Sequence, residues 1–148
     1  MKNLFKPFLM AATVASIFFV SSCTKTCDEG YEGDDCKTEI RAKFIGQWKG
    51  NDVCTSGTYN NITITLANGS GSVMNVTLTN LGGFGATETI TAKVNAGGAL
   101  EFTSAAISGN RTVTGTITSS GSAINVSYTV TPAVGIADVC SGSNYTKL

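Results

Sequence analysis

Six charged side chains are all that residues 53–148 of this 148-residue chain provide for acid–base chemistry: Glu88, Lys93, Glu101, Arg111, Asp138 and Lys147. Histidine is absent from the whole sequence, which removes the one side chain whose unperturbed titration lies near neutrality. A Ser, Thr or Cys nucleophile needs a base within hydrogen-bonding reach, so here that base would be a lysine or a carboxylate. Glu88 and Glu101 form the one pair suited to glycoside hydrolysis, which requires two carboxyls roughly 5–9 Å apart. Both are read as facing solvent, away from the apolar faces of their strands. No catalytic residue is assigned, and the chain is read as a non-enzyme without a cofactor. The glycines fall in turns rather than in a phosphate-binding loop that opens a helix. Ten basic and ten acidic residues balance, so the basic footprint of a nucleic-acid partner is missing.

The cysteines are the second reactive set: Cys23, Cys27, Cys36, Cys54 and Cys140. Lys2 and Lys6 precede an uncharged apolar run over residues 8–20. That run is shorter than the roughly 20 residues a membrane-spanning helix needs, and has the length and flanks of a secretory signal. Residues 1–22 are therefore set apart from the fold. An odd number of cysteines in an exported chain calls for a separate role for one of them. Val20-Ser21-Ser22-Cys23 resembles the lipobox of bacterial lipoproteins. The resemblance implies that Cys23 is diacylglycerylated, that cleavage falls before it, and that the new amine is acylated. It also implies an anchor in the outer membrane, on its periplasmic face or at the cell surface. Several acyl chains on one residue hold a domain at a bilayer, since each buried CH₂ contributes roughly 0.8 kcal/mol.

The other four cysteines make an even set in a compartment that permits disulfides. Of the three possible pairings, Cys27 with Cys36 and Cys54 with Cys140 closes one local loop and one global loop. Zinc is the rival use of four cysteines, but no C-x-x-C pair is present and no metal is assigned. Residues 27–36, CDEGYEGDDC, resemble the last loop of an epidermal-growth-factor-like (EGF-like) module, a small hairpin closed by that module's final disulfide. The likeness covers ten residues, and the calcium-binding start of the module has no counterpart. Asp28, Glu29, Glu32, Asp34 and Asp35 are read as a solvated acidic tether. Residues 23–40 thus form the anchor and hook.

These residues need elements to position them, and the remainder of the chain supplies strands. Residues 23–52 carry twelve charges and residues 53–148 carry six, with 17 Thr and 11 Ser in the latter. Apolar residues alternate with polar ones through Ile62, Ile64 and Leu66, then Met74, Val76 and Leu78, then Ile90, Ala92 and Val94. Leu100 and Phe102 follow, then Val113, Gly115 and Ile117, then Ile124, Val126, Tyr128 and Val130. Period two marks strands with one apolar face. Short Gly- and Asn-rich turns between them enforce antiparallel neighbours. With Phe44–Gly50 in front and Val139–Tyr145 behind, residues 41–148 are expected to form an all-β antiparallel meander of about eight strands. Such a meander buries its apolar face as an up-and-down barrel or as a sandwich. A Cys54–Cys140 bridge, linking first strand to last, favours the barrel. Asn-x-Ser/Thr matches, among them those at Asn61, Asn75, Asn110, Asn125 and Asn144, follow from the composition of these strands.

Phe44-Ile-Gly46-Gln-Trp48 places a G-x-W at the opening strand. It is similar to the first-strand motif of lipocalins and other calycin barrels, in which the Trp plugs one end. An ordinary core aromatic is the simpler reading of Trp48. The lipocalin capping helix and basic partner of the Trp are not evident, although Lys147 is near the right place. The resemblance implies a small apolar ligand in the barrel, with room left by inward Gly, Ala and Val. The other functional reading is an interaction module that meets envelope proteins or glycans through its Thr/Ser/Asn face.

Overall fold

A computed structural model describes residues 26–148; residues 1–22, read above as a secretory signal, and Cys23 lie outside the described residues. Two short strands pair antiparallel: β1 (Tyr31–Glu32), inside the loop closed by Cys27–Cys36, and β2 (Thr38–Glu39), just after it. A 3-10 helix, Ile40–Lys43, leads into eight strands: β3 (Gly46–Cys54), β4 (Gly57–Asn68), β5 (Asn75–Thr79), β6 (Thr89–Val94), β7 (Leu100–Ile107), β8 (Arg111–Ser120), β9 (Ala123–Pro132) and β10 (Asp138–Lys147). Each pairs antiparallel with its neighbour in sequence, and β10 closes on β3. The fold is an eight-stranded up-and-down barrel, not a sandwich.

Three irregularities shape the barrel. Opposite Asn51, β4 carries an extra residue, and Asn61 there adopts a left-handed φ of 60° while its N–H donates to the Asn51 side chain. In β7 the register shifts between Phe102 and Ala105, and in β10 between Cys140 and Ser143. Each bulge inverts the inward phase. In β4, Tyr59 is inward before the bulge and Ile62 after it; in β7 the phase passes from Phe102 to Ile107; in β10 it passes from Cys140 to Tyr145.

The interior is filled. Trp48, Ile64, Leu66, Val76, Leu78, Leu100, Ile117, Ile124 and Tyr145 are all buried in one apolar core. The inward glycines do not leave the expected room. Gly50 lies opposite Tyr145, and a Cβ there would stand 2.6 Å from the Tyr145 ring. Gly115 lies opposite Tyr128 and Phe102, and its Cβ would stand 2.6 and 2.7 Å from them. Each space is occupied by a large neighbour, in the way well-packed cores interdigitate large and small residues.

The barrel's two ends differ. At one, Trp48 is buried and its indole N–H donates to the Phe44 carbonyl at 2.7 Å. Lys147 pairs with Trp48 across the β3–β10 seam and brings its Nζ to 5.4 Å from the ring centre. A basic partner for the Trp is therefore present after all, as a lysine making a cation–π contact. The hook packs against this plugged end. The Ile40 N–H donates to Gly30, and Gly30 fits tightly against Val73 and Met74. Buried Arg41 donates from Nη1 to the carbonyls of Gly69 and Ser72 in the β4–β5 loop and of Asn75 at the start of β5, and from Nε to Glu39. Rather than a loose spacer, the hook is a docked part of the barrel end.

Candidate functional site

The opposite end, the mouth, is formed by the β3–β4 turn, residues 80–88, the β7–β8 turn and the β9–β10 loop. There a cleft of about 480 Å³ is lined by Tyr59, Gly82, Phe84, Arg111, Tyr128, Val130, Pro132, Ile136 and Asp138, with the Cys54–Cys140 bridge in its wall. This volume falls within the range of small-molecule sites. Val134 and Ile136, at the crest of the β9–β10 loop, are 91% and 94% exposed. They make an uncharged apolar rim.

The floor is built on a buried carboxylate. Asp52 is fully buried, inward on β3 in step with Trp48 and Gly50. It accepts from the Tyr128 hydroxyl at 2.6 Å and from the Tyr145 hydroxyl at 2.7 Å. Burial, and then the Asp52 carboxylate, push both phenols far above their ordinary titration range. Gly82, in a short 3-10 turn over Leu81–Gly83 with φ of 61°, covers this pair, and a Cβ there would stand 2.8 Å from the Tyr128 hydroxyl. Phe84 meets Tyr128 edge to face, ring centres 6.4 Å apart.

Two charges flank the cleft on either side of β9. Arg111 opens β8 in step with Val113 and pairs with Pro132, while Asp138 opens β10 and pairs with Val130. Two strand spacings separate their backbones, about 10 Å. The Arg111 guanidinium lies 4.9 Å from the centre of Phe84, and its Nε donates to the Ser108 carbonyl at 2.8 Å. Asp138 is engaged differently. The Thr55 hydroxyl and Ser56 N–H donate to one oxygen at 2.7 and 2.9 Å, and the Ser56 hydroxyl donates to the other. The Ser56 hydroxyl, followed by that of Thr55, holds this carboxyl below the usual carboxylate range.

The four paired cysteines form Cys27–Cys36 and Cys54–Cys140. Cys54, Asp138 and Cys140 place sulfur and oxygen atoms within 4.8 Å of one another, but the two sulfurs are bonded to each other and are not free thiolates for a metal. Glu88 corrects the sequence reading in part. It is half-buried just ahead of β6, in step with Ile90, and accepts from the Ser108 N–H. Glu101 is exposed and pairs opposite Lys93 near the far end of β6. Five residues of strand separate the two positions, about 17 Å, beyond the reach of a glycosidase pair. Arg111 is one of the six charges of residues 53–148, and its place in the cleft does not follow from its type, although its phase with Val113 and Ile117 points inward. Asp52 was missed altogether; its period-two step from Trp48 was the available signal.

No family model, curated protein or solved structure matches the chain.

Proposed function

We propose that this chain is a membrane-anchored, non-enzymatic lipoprotein of the bacterial envelope, acting as an interaction module through its mouth. The lipobox-like Val20–Cys23 supports the anchor. The observation that carries the reading is the polarity of the barrel. Residues 27–30 of the hook lie against Met74, Asn95 and Ala96 at the plugged end, while the apolar rim of Val134 and Ile136 stands at the other. A lipid on Cys23, four residues before Cys27, would hold the plugged end towards the bilayer and turn the mouth to partners. A Cys23→Ala protein is expected to lose acyl labelling and to leave the membrane fraction; retention of both would overturn the anchor. With the anchor intact, Val134→Asp with Ile136→Asp is expected to abolish cross-linking to envelope partners or glycans in whole cells. Unchanged cross-links would move the interaction surface elsewhere.

The cleft favours a second reading, a carrier of a small apolar ligand. The barrel interior is filled, so the ligand would lie at the mouth. Trp48, at the plugged end, is then a poor reporter of binding, and Tyr59 and Tyr128 are better placed.

A further inference from the structure

We infer that the mouth cleft selects organic anions: molecules with a compact apolar body and one carboxylate or sulfonate, the anion seated on Arg111. The inference rests on the carrier reading of this cleft and adds the chemistry of its ligand. Phe84, Val130, Pro132 and Ile136 supply apolar walls for the body. Arg111 supplies the charge. Its ring stacking and its Nε hydrogen bond to Ser108 fix the guanidinium at the cleft, and both use up the side chain's freedom before any ligand arrives. Among the described residues the ion pairs are Arg41–Glu39 and Lys43–Glu32, so Arg111 forms no ion pair there, although Glu88 accepts from the N–H of the same Ser108. A planar guanidinium with unfilled Nη donors matches a carboxylate or sulfonate in two-point geometry.

The negative groups set the orientation. Asp138 stands across β9 from Arg111, and Asp52 lies beneath the Tyr128 floor. The Tyr128 hydroxyl already donates to Asp52, so the floor offers an incoming anion no donor from that phenol. An anion is repelled from the floor and from the Asp138 side, and attracted at one wall. The apolar body then lies over Tyr128 towards Ile136. A neutral molecule of the same shape gains the walls without the charge.

The test compares two probes with the same aryl body: 1-anilinonaphthalene-8-sulfonate and uncharged N-phenyl-1-naphthylamine. Both are titrated against the full chain in zwitterionic lipid vesicles, with empty vesicles as the blank. The sulfonate is expected to bind about tenfold more tightly than the neutral probe. Arg111→Gln is expected to remove that preference, weakening the sulfonate by about tenfold and leaving the neutral probe unchanged, the scale of a charge-assisted hydrogen bond partly exposed to water. Arg111→Lys should keep part of the preference. Unchanged binding of the neutral probe serves as the check that the variants fold. Equal binding of both probes to the parent protein, or a preference that survives Arg111→Gln, overturns the anion inference while leaving the carrier reading in place. Binding of neither probe to the parent protein overturns both.

Discussion

Asp52 shows how much one buried residue can organise. Its two oxygens satisfy two buried phenols from two different strands. Removing it leaves both hydroxyls without a partner, and an unsatisfied buried donor costs about 1–3 kcal/mol. Asp52→Ala is therefore expected to lower unfolding free energy by about 2–5 kcal/mol in denaturant titrations, and Tyr145→Phe by about 1 kcal/mol. The same pair sets an alkaline limit. The folded state holds Tyr128 and Tyr145 neutral, with pKa values raised above those of the unfolded chain. The stability this contributes is complete below about pH 10 and is lost as pH rises beyond it, because the unfolded phenols ionise first. Tyrosinate absorbance from these two residues should appear together with loss of β-sheet circular dichroism; ionisation in an intact barrel would contradict the geometry. Sequence alone made Asp52 look like the last charge of a charge-rich segment. Its inward phase was present, but charge composition outweighed it, and its tyrosine partners lie 76 and 93 residues away.

At the scale of elements, alternation located six of the eight barrel strands, because a closed sheet with a filled interior imposes an unbroken inward phase on most of each strand; the G-x-W stretch and the stretch around Cys140 supplied the first and last. Alternation failed where a bulge inverts that phase. Beyond Phe102 the pattern is lost until Ile107, and β4 is recognisable from Ile62 although it begins at Gly57. Tyr59, half-exposed at the mouth, belongs to the part of β4 that the pattern hides. The hook was legible as a disulfide loop, but its docking was not. Arg41, one of many charges in its segment, gave no sign that it would reach three carbonyls about 30 residues on. Losing these buried, charge-assisted bonds should cost about 2–3 kcal/mol. Arg41→Ala is accordingly expected to expose residues 26–43 to limited proteolysis while the barrel strands stay protected against hydrogen exchange. Equal protection of both regions would mean that the arginine does not hold the hook.

For the whole molecule, the decisive join is between β3 and β10. Cys54 and Cys140 pair directly across it, and the neighbouring Asp138 ties β10 to the β3–β4 turn. On the chain-entropy account, a bridge enclosing 86 residues of separation stabilises by roughly 4–5 kcal/mol, against roughly 3 for the nine-residue separation of Cys27–Cys36. Cys54→Ser with Cys140→Ser should therefore shift the denaturation midpoint more than Cys27→Ser with Cys36→Ser; the reverse order would show that the hook, not the seam, limits stability. Closure has a consequence beyond the stability of one molecule. A complete ring of strands presents no unpaired backbone edge, and this chain has few other defences against edge pairing: six charges and one proline across residues 53–148. A ring parted at β3 and β10 would expose two margins of nine and ten residues, with Lys49, Asp52, Asp138 and Lys147 as their only charges against pairing with another copy. Reducing agents would then act first on colloidal behaviour, with fibrous or strand-swapped assemblies forming under conditions where each intact ring stays separate.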